Sequence, residues 1–150
     1  MLVTKEFTFD SAHFLPNYYG KCERMHGHTY RLQITVDGPV GENGLVIDFV
    51  ILKKIVKKQV LEKLDHQVIN DIIKVASAEN TVLWIWDQLK DLRPLIEQEL
   101  DDPNLSESIK KYFKEGEDPM IDTSDFTSQI RLHEVKLWET PNSFVTYNGN

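Results

Sequence analysis

The stretch Cys22-Glu23-Arg24-Met25-His26-Gly27-His28, running on through Thr29-Tyr30-Arg31-Leu32-Gln33-Ile34-Thr35-Val36-Asp37, decides how this chain is read. From His28 it alternates cleanly. His28, Tyr30, Leu32, Ile34 and Val36 fall on one side, and Thr29, Arg31, Gln33, Thr35 and Asp37 on the other. That period belongs to a β-strand with one face in a core. His26 and His28 are two residues apart, so an extended backbone puts both imidazoles on the same face as the apolar row. A desolvated imidazole without a partner is costly, and a metal ion would supply one.

Working outward, residues 2–14 read as a second strand, with Val3, Phe7 and Phe9 on one side and His13 at the same parity. If the two strands are neighbours, three imidazoles converge from one face. Three nitrogen ligands with no fourth protein ligand is the pattern of a catalytic zinc site that keeps a position open. An isolated His-x-His pair is weak evidence, because a single histidine is usually structural or exposed. Here three of the chain's five histidines fall between positions 13 and 28, beside its one cysteine. Cys22 reads in two ways. Near zinc, imidazoles, Lys21 and Arg24 its thiolate would be stabilised as a base or nucleophile; alternatively it is the fourth ligand of a closed structural site.

At 150 residues, with 41% hydrophobic and 27% charged residues, the chain is expected to form one soluble globular domain, 1–150. A net charge of −7 argues against general affinity for nucleic acid or an anionic membrane. A lone cysteine makes no internal disulfide, and neither a signal-like hydrophobic core nor a membrane-length apolar run is present, so a reduced cytoplasmic setting is expected.

Past the Gly38-Pro39 and Gly41–Gly44 turns, Asp48 caps an expected helix over 49–63 with Phe49, Leu52, Val56, Val60 and Leu64 as its apolar stripe. Lys53, Lys54, Lys57 and Lys58 read as its solvated face. Residues 67–78 read as a connector, and Ser77 caps a second helix carrying Val82, Ile85, Trp86, Leu89 and Leu92. Trp84 and Trp86 read as core or subunit-contact residues. Pro94 should break this helix or start a further turn. Residues 101–127 are acidic and turn-rich, an insertion with a short helix over 105–114. Strands follow at 129–139 and 143–148, joined by Pro141-Asn142. Two strands, two helices and two strands give an α+β fold: an antiparallel four-stranded sheet with two helices on one face. The other face would need cover, which points to an oligomer, although the outward parity of strand 28–37 is polar and could also meet water inside a barrel-like assembly.

Asp65-His66 follows the first helix and forms a possible proton-transfer dyad. Glu139 sits in Trp138-Glu139-Thr140-Pro141 at a strand end, where a solvated carboxylate is the ordinary reading. His133 has no such company and reads as structural or exposed.

These stretches, with Phe9-Asp10-Ser11-Ala12-His13, Val46-Ile47-Asp48-Phe49, Ala78-Glu79-Asn80-Thr81 and Trp84-Ile85-Trp86, resemble the superfamily of 6-pyruvoyl-tetrahydropterin and 6-carboxytetrahydropterin synthases. The resemblance covers about residues 5–93 and 129–148; residues 101–127 have no counterpart in it. It implies the tunnelling fold, in which strands join a barrel across subunits and two trimers stack into a hexamer with active sites at the interfaces. It implies that His13, His26 and His28 bind Zn2+, that Cys22, Asp65 and His66 are catalytic, and that Glu139 anchors a pterin through paired charge-assisted hydrogen bonds. The Cys-x₃-His-Gly-His spacing resembles the bacterial 6-carboxytetrahydropterin synthases of queuosine biosynthesis; the pyruvoyl-forming enzymes usually have a longer one. The implied reaction converts 7,8-dihydroneopterin triphosphate to 6-carboxytetrahydropterin, with release of acetaldehyde and triphosphate. Its alternatives are a 6-pyruvoyl-tetrahydropterin synthase acting on the same substrate and a non-catalytic zinc-stabilised pterin-binding module.

Overall fold

The alternating row that opens the sequence becomes the middle of a sheet. In the computed structural model, which describes residues 1–107, 109 and 127–150, β1 (Leu2–His13) and β2 (His26–Asp37) pair antiparallel along their whole length. Phe9 lies opposite Tyr30 and Phe7 opposite Leu32. Tyr30, Leu32, Ile34 and Val36 are all buried, and the Phe9 and Tyr30 rings stack with centroids 5.0 Å apart. The same register sets His13 opposite His26 and Ser11 opposite His28, so the histidines continue the apolar row at the sheet's end.

Asp48 caps α1 (Phe49–Val56) by accepting the Val50 N–H at 2.6 Å, as expected. Ile51, Leu52, Ile55 and Val56 face the core, whereas Phe49, which the apolar stripe placed inside, is exposed. The helix does not run on regularly. Over Lys57–Leu61 it widens into a π turn, in which the Glu62 N–H reaches back five residues to the Lys57 carbonyl, before a last turn, α2 (Glu62–Leu64). Residues 67–68, read as connector, form β3 (Gln67–Val68), which pairs parallel with Ser11 and Ala12 of β1. Two residues are too few for alternation to reveal a strand.

Ser77 caps α3 (Ala78–Leu89), accepting the Asn80 N–H at 3.2 Å. A separate helix, α4 (Leu92–Leu100), then begins. Pro94 stands in its first turn, where a missing N–H removes no helical bond, so the proline starts a helix instead of kinking one. β4 (Arg131–Thr140) and β5 (Ser143–Tyr147) complete the sheet, whose order is β3-β1-β2-β4-β5. The expected antiparallel four are therefore present, joined by a short parallel edge strand, and more than two helices pack over one face. The α+β class holds.

One hydrophobic cluster joins sheet and helices, from Phe9 and Tyr30 to Ile51, Leu64, Ile85, Ile96 and Leu137. The opposite sheet face is polar and aromatic. Thr4 and Thr35 share a 2.9 Å hydrogen bond, Gln33 donates to Glu6 at 2.7 Å, and the Arg31 guanidinium lies 3.9 Å over Trp138. Trp86 packs edge-on against Tyr147 at 5.2 Å, and Trp84 is half-buried beneath the Lys63 ammonium. The lysine face of α1 is only partly free: Lys54 pairs with Asp102 at 2.9 Å and Lys58 with the buried Glu99 at 2.5 Å. Most of the acidic stretch at 101–127, including most of the helix expected at 105–114, lies outside the described residues.

Candidate functional site

β-strand parity brings His13, His26 and His28 together, and backbone carbonyls turn two of the rings. One ligand nitrogen from each lies within 4.8 Å of the other two. His13 Nδ1 is 2.6 Å from the Ala76 carbonyl, and His26 Nδ1 is 2.7 Å from the Arg24 carbonyl. A carbonyl only accepts, so each Nδ1 donates, and the neutral tautomer that fits these contacts has its lone pair on Nε2. His13 and His28 each bury an Nε2 that has no hydrogen-bond partner among the described residues. Burial pushes the His28 pKa below the usual imidazole range; Glu139 opposes that shift, while His13 and His26 reinforce it. A metal ion takes the neutral form of an imidazole, the form that burial favours for His28.

Glu139 adds negative charge to this end of the sheet. Its Oε1 lies 3.4 Å from His13 Nε2. The β4–β5 register slips between Trp138 and Thr140, so Glu139 is the residue of a bulge. Beside the neutral ring such a carboxylate would set two acceptors against each other, an arrangement that a bound cation would relieve. Below lies Tyr30, its ring 5.7 Å from His28 and 6.0 Å from His13, with its hydroxyl pKa raised mainly by burial and further by Glu139. The residues present thus fit a bound cation: inward nitrogens, a carboxylate beside them, and buried polar atoms without partners.

Cys22 is half-buried in a short turn, Lys21–Glu23, with its carbonyl accepting the Leu15 N–H at 2.8 Å. It is not among the residues whose ligand atoms converge, which leaves the His group as a three-nitrogen set. The loop before it holds Asn17 and Tyr19 at φ 62° and 56°, left-handed values that side chains adopt at a cost.

Asp65 and His66 do meet: Asp65 Oδ1 is 2.9 Å from His66 Nδ1. Both hang from one residue of β1, because the Asp10 N–H donates to Asp65 Oδ1 at 3.0 Å and the His66 N–H donates to the Asp10 carbonyl at 2.6 Å. Ser11 adds a hydrogen bond from its hydroxyl to the Leu64 carbonyl. His66 itself sits at φ 58° and is exposed. Strain of this kind, roughly 1–3 kcal/mol, persists only where surrounding bonds enforce it. His66 and His28 both line an open cleft of about 600 Å³, with Asp10, Gly27, Thr29 and Asp71 among its walls. His133, the bulged residue where β4 slips against β2, is exposed and away from these groups.

Residues 2–117 match the family described as 6-pyruvoyl tetrahydropterin synthase. The chain belongs to that family. It is an enzyme family, and this member is a pterin synthase. The 6-carboxy-5,6,7,8-tetrahydropterin synthase of Haemophilus influenzae is 32% identical over 149 residues, spanning 97% of this chain and 96% of that one. The 6-pyruvoyl tetrahydrobiopterin synthase of Dictyostelium discoideum is also 32% identical, over 99% of this chain and 96% of its own. The structure of Caenorhabditis elegans 6-pyruvoyl tetrahydropterin synthase superposes with a TM-score of 0.68 at 22% identity, covering 100% of this chain and 96% of that one. That likeness shows the tunnelling fold of the family.

For this family member, sequence reasoning missed Ala76, whose carbonyl meets His13, and Asn70 and Asn80, whose side chains bond to the backbone on either side of it. Their signal was slight, since a backbone carbonyl has no residue signature. Asn80 lay in a stretch recognised only for its resemblance. Among the described residues no helix is long and apolar enough to cross a membrane.

Proposed function

We propose that this pterin synthase is a zinc-dependent lyase. In this reading it converts 7,8-dihydroneopterin triphosphate to 6-carboxy-5,6,7,8-tetrahydropterin with release of acetaldehyde and triphosphate, as a cytoplasmic step of queuosine biosynthesis. The observation that carries the metal half is the convergence of three imidazole nitrogens within 4.8 Å, two of them buried without partners. The product half is supported by similarity to the Haemophilus influenzae enzyme over nearly the full length of both chains and by the Cys-x₃-His-Gly-His spacing.

His13, His26 and His28 would hold the ion through nitrogens that the Ala76 and Arg24 carbonyls help to orient. A zinc ion there would act as a Lewis acid, raising the acidity of protons beside the oxygens it polarises. Cys22 would take a proton from the substrate side chain on one side, and His66 would move one on the other. Asp65, 2.9 Å from His66 Nδ1, would hold the ring and leave Nε2 for the proton transfer. Glu139 would accept two N–H groups of the pterin ring. We place the working form in an oligomer, a hexamer built of two trimers whose sheets close into a barrel. The exposed sheet face and the open cleft beside His66 support that reading.

The similarity to the Dictyostelium discoideum enzyme favours a second reading, a 6-pyruvoyl product from the same substrate. The deciding experiment gives zinc-loaded protein 7,8-dihydroneopterin triphosphate and reads the pterin product by mass spectrometry beside an acetaldehyde assay. Acetaldehyde with 6-carboxytetrahydropterin is expected. A pyruvoyl product without acetaldehyde moves the assignment to the second reading. No product from protein with a filled metal site leaves a binding module.

A further inference from the structure

Three consecutive backbone carbonyls in the segment before α3 each meet a different side chain. The Lys74 carbonyl accepts Asn70 Nδ2 at 3.3 Å, the Val75 carbonyl accepts Asn80 Nδ2 at 2.9 Å, and the Ala76 carbonyl faces His13 Nδ1 at 2.6 Å. Asn70 also closes on the end of β1. Its Oδ1 accepts the Phe14 N–H at 2.9 Å and its Nδ2 donates to the Phe14 carbonyl at 2.9 Å. Phe14 is the residue immediately after His13, so this side-chain amide ties the end of β1 to the segment whose carbonyl faces His13.

The geometry points to Asn70 as a positioning residue of the metal centre, one that holds the Ala76 carbonyl on His13 and so selects Nε2 as the ligand atom. This rests on reading the three histidines as a metal site. His13 is 1% exposed and Ala76 0%, so bulk water cannot take the place of a displaced carbonyl. A neutral imidazole has two tautomers, and the partner of one nitrogen decides which nitrogen is free for the metal. Regular secondary structure cannot do this work here, because residues 72–77 lie in neither helix nor strand. Asn70 supplies the tie on the β1 side and Asn80 the tie on the α3 side. The ties are amide-to-backbone bonds with no charged group among them.

The arrangement also reaches the dyad. Residues 64–76 wrap the end of β1 by bonds from Leu64, Asp65, His66, Asn70 and Ala76 to residues 10–14. Asn70 is the middle tie of that strap, between His66 and Ala76.

The test compares wild type with Asn70→Ala, Asn70→Asp and Asn80→Ala. Zinc affinity is measured by competition with a chromogenic chelator, and the His13 tautomer by ¹⁵N NMR of the metal-free protein. Asn70→Ala removes all three bonds and should weaken zinc binding roughly 10- to 100-fold, the usual cost of losing a group that orients a ligand. Its His13 should change from protonation at Nδ1 to a mixture. Asn70→Asp keeps the acceptor for Phe14 N–H but loses both donors, and should fall with Asn70→Ala. Asn80→Ala, which frees only Val75, should weaken zinc less. Wild-type affinity and an unchanged tautomer in Asn70→Ala would overturn the inference; if that variant does not fold, the same result in Asn70→Asp would overturn it. Should wild type itself take up no zinc, the metal reading falls, and the tautomer comparison alone then decides the role of Asn70.

Discussion

The histidine cluster and the Asp65–His66 pair both hang on the end of β1, yet they are held in opposite ways. His13 is buried, and its ring and that of His26 are turned by carbonyl partners while strand register supplies the convergence. In the dyad the His66 ring is open to solvent, and Asp10 holds the pair from β1: its N–H donates to the Asp65 carboxylate and its carbonyl accepts the N–H of His66, a residue at φ 58°. A cluster whose ligand nitrogens already converge could take a cation without rearrangement. A dyad with an exposed ring is set in position but not in environment: to act in proton transfer as proposed, it would need a bound substrate or a neighbouring subunit to exclude water from it.

Breaking either region should therefore leave different traces. The largest effect is expected for His26→Ala, which opens the three-nitrogen set. Zinc should be lost, and turnover should fall by roughly 10³-fold or more, because Lewis-acid stabilisation is worth several kcal/mol; metal analysis with a steady-state assay checks both. Next come Cys22→Ala and His66→Ala, each expected to cost about 10²–10⁴-fold in kcat, the range of a lost general acid or base, while zinc content stays full. Zinc loss in Cys22→Ala would instead mark the thiol as a ligand, and zinc loss in His66→Ala would show that the two regions are not separable.

A smaller effect, away from both, sharpens the contrast by acting on stability alone. Glu99 is 2% exposed, and its Oε2 has no hydrogen-bond partner among the described residues, so Lys58 is its evident compensation. Lys58→Met should lower unfolding free energy by about 1–3 kcal/mol, less than for a fully buried pair because Lys58 itself is half-exposed. The Lys58→Met/Glu99→Met double variant should recover most of that loss in denaturant titration. The smallest expected effect is a pH dependence. The Asp102 carboxyl is lowered to about 2, chiefly by its hydrogen bond with Lys54, and Asp37 is lowered chiefly by its hydrogen bond with Arg131. A depressed carboxyl means that the unfolded chain binds protons first as pH falls. Both contributions should be present above the ordinary carboxylate range and fade as pH falls through it, that of Asp102 down to about pH 2, and Lys54→Met should flatten that part of the melting-temperature profile.

Much of this was legible from residue type and spacing. Tyr30 to Val36 alternate, and the observed strand buries that parity. Asp48 and Ser77 mark helix starts that the structure caps with those same side chains. Less legible were features in which the backbone departs from its period. The π turn at Lys57–Leu61 hides inside an ordinary helical sequence, β3 is two residues long, and Glu139 reaches the cluster through a bulge. Pro94 was ambiguous because it is compatible with either the end of one helix or the first turn of another.

By itself, the sequence determined which face of β1 and β2 turns inward, and hence that His13, His26 and His28 share it. Side-chain parity in a strand is a local property, and one buried face makes a shifted register prohibitively costly. The tertiary structure decided which nitrogen of His13 meets a carbonyl and where the dyad stands. The carbonyl that faces His13 comes from a residue 63 positions away, and the backbone that fixes His66 belongs to a strand that ended long before it. Such partners are set by where a connector lands against the sheet, and no spacing within the connector records that.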